Sequence, residues 1–129
     1  MPIIAHDKAK EIPWRPGYRN FVLAGEEQGM SCITGMAILE PGAGAPLHVH
    51  HDTDEVLIVL EGTLDLRLGD ERRLVHANNT IAVPVGTPHA FVAVGDRPVR
   101  MLAFLPRTRA LANATTYFEG GPPAGAEQH

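Results

Sequence analysis

Three histidines crowd into a short stretch, His48, His50 and His51, and Glu55 follows after the polar turn Asp52-Thr53-Asp54. On an extended strand, residues two apart share a face, so His48 and His50 project together while His51 points away. Their Cα atoms then stand about 7 Å apart, close enough for two imidazoles to converge on one ion. The turn allows the next strand to return and present Glu55 to the same region. Two imidazoles and one carboxylate make a facial ligand set that leaves coordination positions open for chemistry. A further histidine, His89, begins a later strand behind the turn Pro84-Val85-Gly86-Thr87-Pro88. Taken alone, a His-x-His pair favours exposed, uncommitted surface, and the bland alternative for Glu55 is a solvent-facing charge at a strand start. His51 has the wrong parity, and His76 and His6 have no partner at useful spacing, so these three read as surface. Asp52 and Asp54 read as turn chemistry.

The elements that must position these side chains are short strands. Thirteen glycines and eleven prolines break the chain into small pieces. Apolar or alternating stretches fall at 30–39, 47–51, 55–60, 63–68, 72–76, 80–83, 89–94 and 99–105, with turn residues between them. Leu64, Leu66 and Leu68 fall on one face and Asp65 and Arg67 on the other, as a strand with one face in a core requires. Many short strands at roughly even spacing predict an all-β, antiparallel sandwich or barrel. The only helical signal is a short turn near 110–114. The 2–29 stretch mixes Trp14 and Phe21 with Pro13, Pro16 and Gly17, and is expected to wrap the barrel or to pair with a second chain. The 120–129 tail is too poor in apolar surface to offset its ordering entropy, which predicts disorder.

Size and composition limit the classes available. The 129 residues suit one domain, with 44% apolar and 20% charged residues. Net charge is -4 and the eleven Lys and Arg are scattered. No basic stripe offers counterion release to a phosphate backbone, which argues against a nucleic-acid partner. The single cysteine, Cys32, precludes an internal disulfide and sits in an apolar stretch, where a buried, inert thiol is expected. The start of the chain lacks the long apolar core of a signal peptide, and no apolar run reaches bilayer length. A cytoplasmic protein with no membrane partner is the expectation.

The spacing of these residues resembles the cupin superfamily. Gly42, His48, His50, Glu55 and Gly62 match every fixed position of its first motif, and Pro84, Gly86 and His89 match part of its second. The resemblance, to the small single-domain members, covers roughly residues 30–105. Two positions depart from it: Asn78 stands where the second motif opens with glycine, and Ala93 where it ends with asparagine. Asn tolerates positive φ, so the turn can survive. The resemblance implies an antiparallel jelly-roll barrel with one divalent transition metal (Fe, Mn, Ni, Cu or Zn) per chain, on His48, His50, Glu55 and His89. The domain plan it suggests is a wrapping segment over 1–29, a barrel over 30–107, an extension over 108–119 and a tail over 120–129.

A metal with open positions suggests an enzyme acting on a small organic molecule. Glu55 is a candidate general base as well as a ligand. Strand parity places Leu57 and Val59 beside Glu55, and Phe91 and Ala93 beside His89, as walls of a small apolar pocket, with Met36 or Met101 as further lining. Non-haem dioxygenation leads. A redox-neutral isomerase, lyase or decarboxylase follows closely, then a non-catalytic ligand-binding module, then a metal that only staples the fold. Val56, Ile58 and Leu60 are apolar on the opposite face of the same strand, which calls for cover on both sides. Since small cupins are commonly dimers, a homodimer is expected.

Overall fold

The computed structural model describes residues 3–106 and 114–126. Glycine and proline turns divide it into eleven strands: β1 (Lys10–Arg15), β2 (Tyr18–Ala24), β3 (Ile33–Leu39), β4 (Gly44–His50), β5 (Glu55–Glu61), β6 (Thr63–Leu68), β7 (Glu71–His76), β8 (Asn79–Val83), β9 (His89–Val94), β10 (Val99–Leu105) and β11 (Thr115–Tyr117). Eight of these fall on the stretches expected from the sequence. β4 starts earlier than expected, at Gly44, because the turn before it is confined to 41–43. The helical turn expected near 110–114 lies, apart from Ala114, outside the described residues. Cys32 is half-buried, since it sits in the bend before β3 and not within the strand.

All pairings are antiparallel and form two sheets, β1-β2-β3-β10-β5-β8 and β11-β4-β9-β6-β7, the arrangement of a jelly roll. Their inner faces meet over Leu39, Leu57, Val59, Leu64, Phe91 and Met101, each almost fully buried. The alternation expected in β6 holds: Leu64 and Leu66 enter this core and Arg67 is exposed. On β5, Val56, Ile58 and Leu60 face outward and are only partly covered, beside Phe104 on β10, which is 39% exposed. Among the described residues no helix is long and apolar enough to cross a membrane.

Both chain ends are used within this architecture. β1 and β2 form a hairpin that extends the first sheet beside β3. The amphipathic alternation of β2 explains its place: Tyr18 and Asn20 turn toward the cavity, while Phe21 joins Met36 and Leu23 in a second apolar cluster. At the other end, residues 120–126 lie against β1, contrary to the disorder their composition predicts. The Ala124 N–H donates to Trp14 O at 3.0 Å and the Arg15 guanidinium donates to Gly121 O at 2.6 Å. Backbone hydrogen bonds and close Gly and Pro contacts take the place of the missing apolar side chains.

Gly44, Gly62 and Gly125 are dictated by space, the last because a Cβ there would fall 2.1 Å from Pro13 O. A Cβ on Gly44 would fall 1.9 Å from Phe91 O, and one on Gly62 2.6 Å from Pro98 O, where φ is also +83°. Asn78, in place of the motif's glycine, holds φ 67° while its N–H donates to Val59 O at 2.8 Å. Gly44→Ala forces β4 away from β9 and is expected to cost about 1–3 kcal/mol of stability, read by urea denaturation. Gly121→Ala, with nothing within 4 Å of the new Cβ, is the control and should stay within about 0.5 kcal/mol.

Candidate metal centre

The register of three strands brings the chemistry together. β4 carries His48 and His50 on one face, as parity requires, and pairs with β9 so that His48 lies opposite His89. β5, in the other sheet, starts with Glu55. The cluster therefore spans the gap between the sheets. His48, His50 and His89 each offer a ring nitrogen within 4.8 Å of the other two, and all three side chains are buried. Glu55 Oε1 lies 3.4 Å from both His50 Nε2 and His89 Nε2. His51 and His76 stand apart, bonded to Thr116 Oγ1 at 2.7 Å and Thr63 Oγ1 at 3.2 Å on the surface.

The outer ring nitrogens are all engaged. His48 Nδ1–H donates to Pro46 O at 2.7 Å and His89 Nδ1–H to Thr87 O at 3.0 Å. A carbonyl only accepts, so each of these rings must carry its proton on Nδ1 and leave the Nε2 lone pair free. His50 Nδ1 meets Thr115 Oγ1 at 2.9 Å. The strand β11 that supplies Thr115 also stacks Tyr117 on His48, with centroids 5.3 Å apart. Such partners on the far nitrogen fix the orientation of metal-binding imidazoles.

Electrostatics favour a cation here. Burial lowers the pKa of His48 to about 4, with His89 adding to the shift, so the ring is neutral near pH 7. Burial opposes ionisation of Glu55, but the close polar approach of His50 and His89, each with Nε2 3.4 Å from Oε1, outweighs it and holds the carboxyl well below its usual range. His89 Nε2 is fully buried and has no hydrogen-bond partner. A buried acceptor without a donor is costly unless a cation completes it. The three imidazoles fit a divalent transition metal, and the donor set does not choose among Fe, Mn, Ni, Cu and Zn.

A cavity of about 60 Å³ opens beside the cluster, lined by His48, His50 and Glu55 together with side chains from both sheets. Of the six expected wall residues, Leu57 and Phe91 line it. Met36 also borders it, although its side chain packs with Phe21 and Leu23. Val59, Ala93 and Met101 do not line it; they lie deeper in the core. Parity gives the face of a strand but not the depth: Met101 pairs with Val59 and Ala93 with Leu64, beyond the layer of Leu57. Further wall comes from residues not foreseen, among them Trp14, Arg15, Tyr18 and Asn20 of the hairpin and Tyr117 of β11. The alternation Tyr18, Asn20, Val22 was the available signal for the hairpin's inner face. Burial, helped by the Glu55 charge, pushes the Tyr18 phenol above its usual range, so it stays protonated.

Thr115→Val removes the partner of His50 Nδ1 without touching a ring. Metal affinity should fall about 10–100-fold, measured by competition with a chromogenic chelator, while the circular dichroism spectrum stays that of the parent. Unchanged affinity would mean that His50 is oriented by other contacts.

The profile of the cupin domain matches residues 35–105 of the chain. Mannose-1-phosphate guanylyltransferase 2 of Escherichia coli O157:H7 is 36% identical over 76 residues, 59% of this chain and 16% of that protein. Quercetin 2,3-dioxygenase of Bacillus subtilis is 46% identical over 50 residues, 39% of this chain and 15% of its own length. The chain thus spans less than a fifth of either relative. Among solved structures, the polyketide cyclase RemF of Streptomyces resistomycificus superposes with a TM-score of 0.72 at 23% identity, covering 81% of this chain and 78% of that one. That likeness concerns the fold. With its matched profile, its two-sheet jelly roll and its buried histidine triad, the chain belongs to the cupin family.

Proposed function

We propose that the protein is a metal-dependent dioxygenase of a small organic molecule, with one divalent metal per chain held by His48, His50, His89 and Glu55. The observation that carries this reading is the partnerless, fully buried Nε2 of His89, set between two further imidazoles and a carboxylate beside a small cavity. Similarity to a quercetin dioxygenase supports the oxidative choice. A bound metal would supply Lewis acidity and, as Fe(II), activation of O2. Glu55, which lines the cavity, accepts a proton from the substrate as general base. Trp14 and Phe91 present flat apolar faces that orient a planar molecule and exclude water.

Elemental analysis of the purified protein should find about one transition metal per chain, and His50→Ala should lose it. In an oxygen electrode, a panel of phenols, diketones and thiols should include a substrate that drives uptake of one O2 per molecule consumed. Glu55→Gln should then slow turnover by about 10²–10⁴-fold. Substrate consumed without oxygen uptake would replace dioxygenation by a redox-neutral isomerase, lyase or decarboxylase reaction. A ligand bound but never converted would make the protein a binding module.

The homodimer belongs to the same proposal, supported by the partly covered apolar side chains Val56, Ile58 and Phe104 on the outer face. Sedimentation velocity should give twice the chain mass, and Phe104→Glu should shift it to one. A wild-type protein sedimenting as a single chain removes the dimer.

A further inference from the structure

Asn20 is a polar side chain in an apolar place. It is 7% exposed and lines the cavity beside the histidine cluster. Among the described residues no group hydrogen-bonds its side-chain amide, yet its atoms are not among those sealed from solvent. The amide therefore faces the cavity with two donors and an acceptor unused. Buried polar groups are nearly always bonded, and one left open in a cavity points to a partner that arrives from outside.

The surroundings specify that partner. Strand pairing puts Ala37 beside Asn20, and Gly35 and Ala103 in the adjoining row, so small residues leave room in front of the amide. Tyr18, two residues earlier on the same face, also lines the cavity, with its ring 6.3 Å from that of Trp14, and its phenol can donate. Two neutral donors, the Asn20 NH2 and the Tyr18 O–H, thus border a largely apolar space that Leu57 and Phe91 help to wall and that Arg15 and Tyr117 also line.

We infer that Asn20 is a specificity-determining residue that binds a carbonyl or enolate oxygen of the substrate. The ligand class is a small carbon compound with two oxygens, one turned to the histidine cluster and one to Asn20. This rests on the proposed metal-dependent function. It also locates the polar contact missing at Ala93, which lies in the core away from the cavity: the hairpin supplies an amide from the opposite sheet.

The probes are acetylacetone, with two oxygens, and methyl propyl ketone, with one, titrated calorimetrically into zinc-loaded protein so that no oxidation intervenes. Wild-type protein should bind acetylacetone at least about tenfold more tightly than the ketone. Asn20→Leu should weaken acetylacetone binding about tenfold, the loss of one hydrogen bond, and leave the ketone unchanged. Asn20→Asp should weaken acetylacetone binding further, since a carboxylate repels an enolate. Zinc content should match the wild type in both variants. The urea midpoint of metal-free Asn20→Leu should not fall, because the amide has no bond within the protein to lose. Wild-type acetylacetone affinity in Asn20→Leu, with binding abolished in His50→Ala, would overturn the inference and leave the metal centre standing. So would an Asn20→Leu protein that fails to fold, or a zinc-loaded wild type that ignores acetylacetone. Wild-type protein that takes up no zinc would instead defeat the underlying functional reading.

Discussion

Three imidazoles and a carboxylate are packed together in the gap between two sheets, and burying such groups is unfavourable unless their polar atoms find partners. Three of the six imidazole nitrogens are satisfied from behind, by Pro46 O, Thr115 Oγ1 and Thr87 O. The others converge, and only Glu55 Oε1 stands near, 3.4 Å from two of them. The neutral rings of His48 and His89 cannot bond one another through Nε2, because both have committed their protons to backbone carbonyls on the far side. A cation would resolve this conflict, and with Glu55 as a further ligand it would tie β4 and β9 of one sheet to β5 of the other. The placement of β4, β5 and β9 is thus one constraint with both a structural and a chemical consequence.

That constraint explains the presence of the short β11. It pairs with β4 directly behind the histidines, with Thr115 opposite His50 and Tyr117 opposite His48. Without it the outer edge of β4 would be unpaired, and His50 would lose the group that bonds its far nitrogen. Gly44 serves the same arrangement at the opposite end of β4, where Phe91 O approaches too closely for any side chain. The strand bearing two of the histidines is therefore fixed at its start by a backbone contact and along its edge by β11.

The metal cluster was legible because its residues obey local rules. Parity separates His48 and His50 from His51 within one strand, and the flanking glycines identify the turns. The strands of the barrel were legible for the same reason, since alternation and turn residues act over a few positions. The cavity was not, because its walls depend on how far along the barrel each strand slides against its neighbour. Val59, Ala93 and Met101 have the expected facing but lie a layer too deep. Nor could local patterning resolve whether 2–29 pairs within the chain or outside it; that depends on the free edge of β3, which β2 occupies. The tail at 120–126 was missed because its contacts are made by backbone atoms, to which composition is blind.

The division between the cluster and its surroundings also runs along the sequence. All four residues of the cluster lie within 35–105, the stretch common to the cupin domain. Trp14, Tyr18 and Asn20, and Thr115 and Tyr117, lie outside it. The shared stretch thus carries the groups able to hold a metal and part of the cavity wall, while the flanking strands complete that wall and orient two of the rings. Exchanging the N-terminal hairpin alone would change part of the cavity wall while leaving the partners of the three histidine rings in place, which is how one scaffold can serve unrelated reactions. What distinguishes this cavity is accordingly to be sought in the hairpin and β11, and not in the histidine motif.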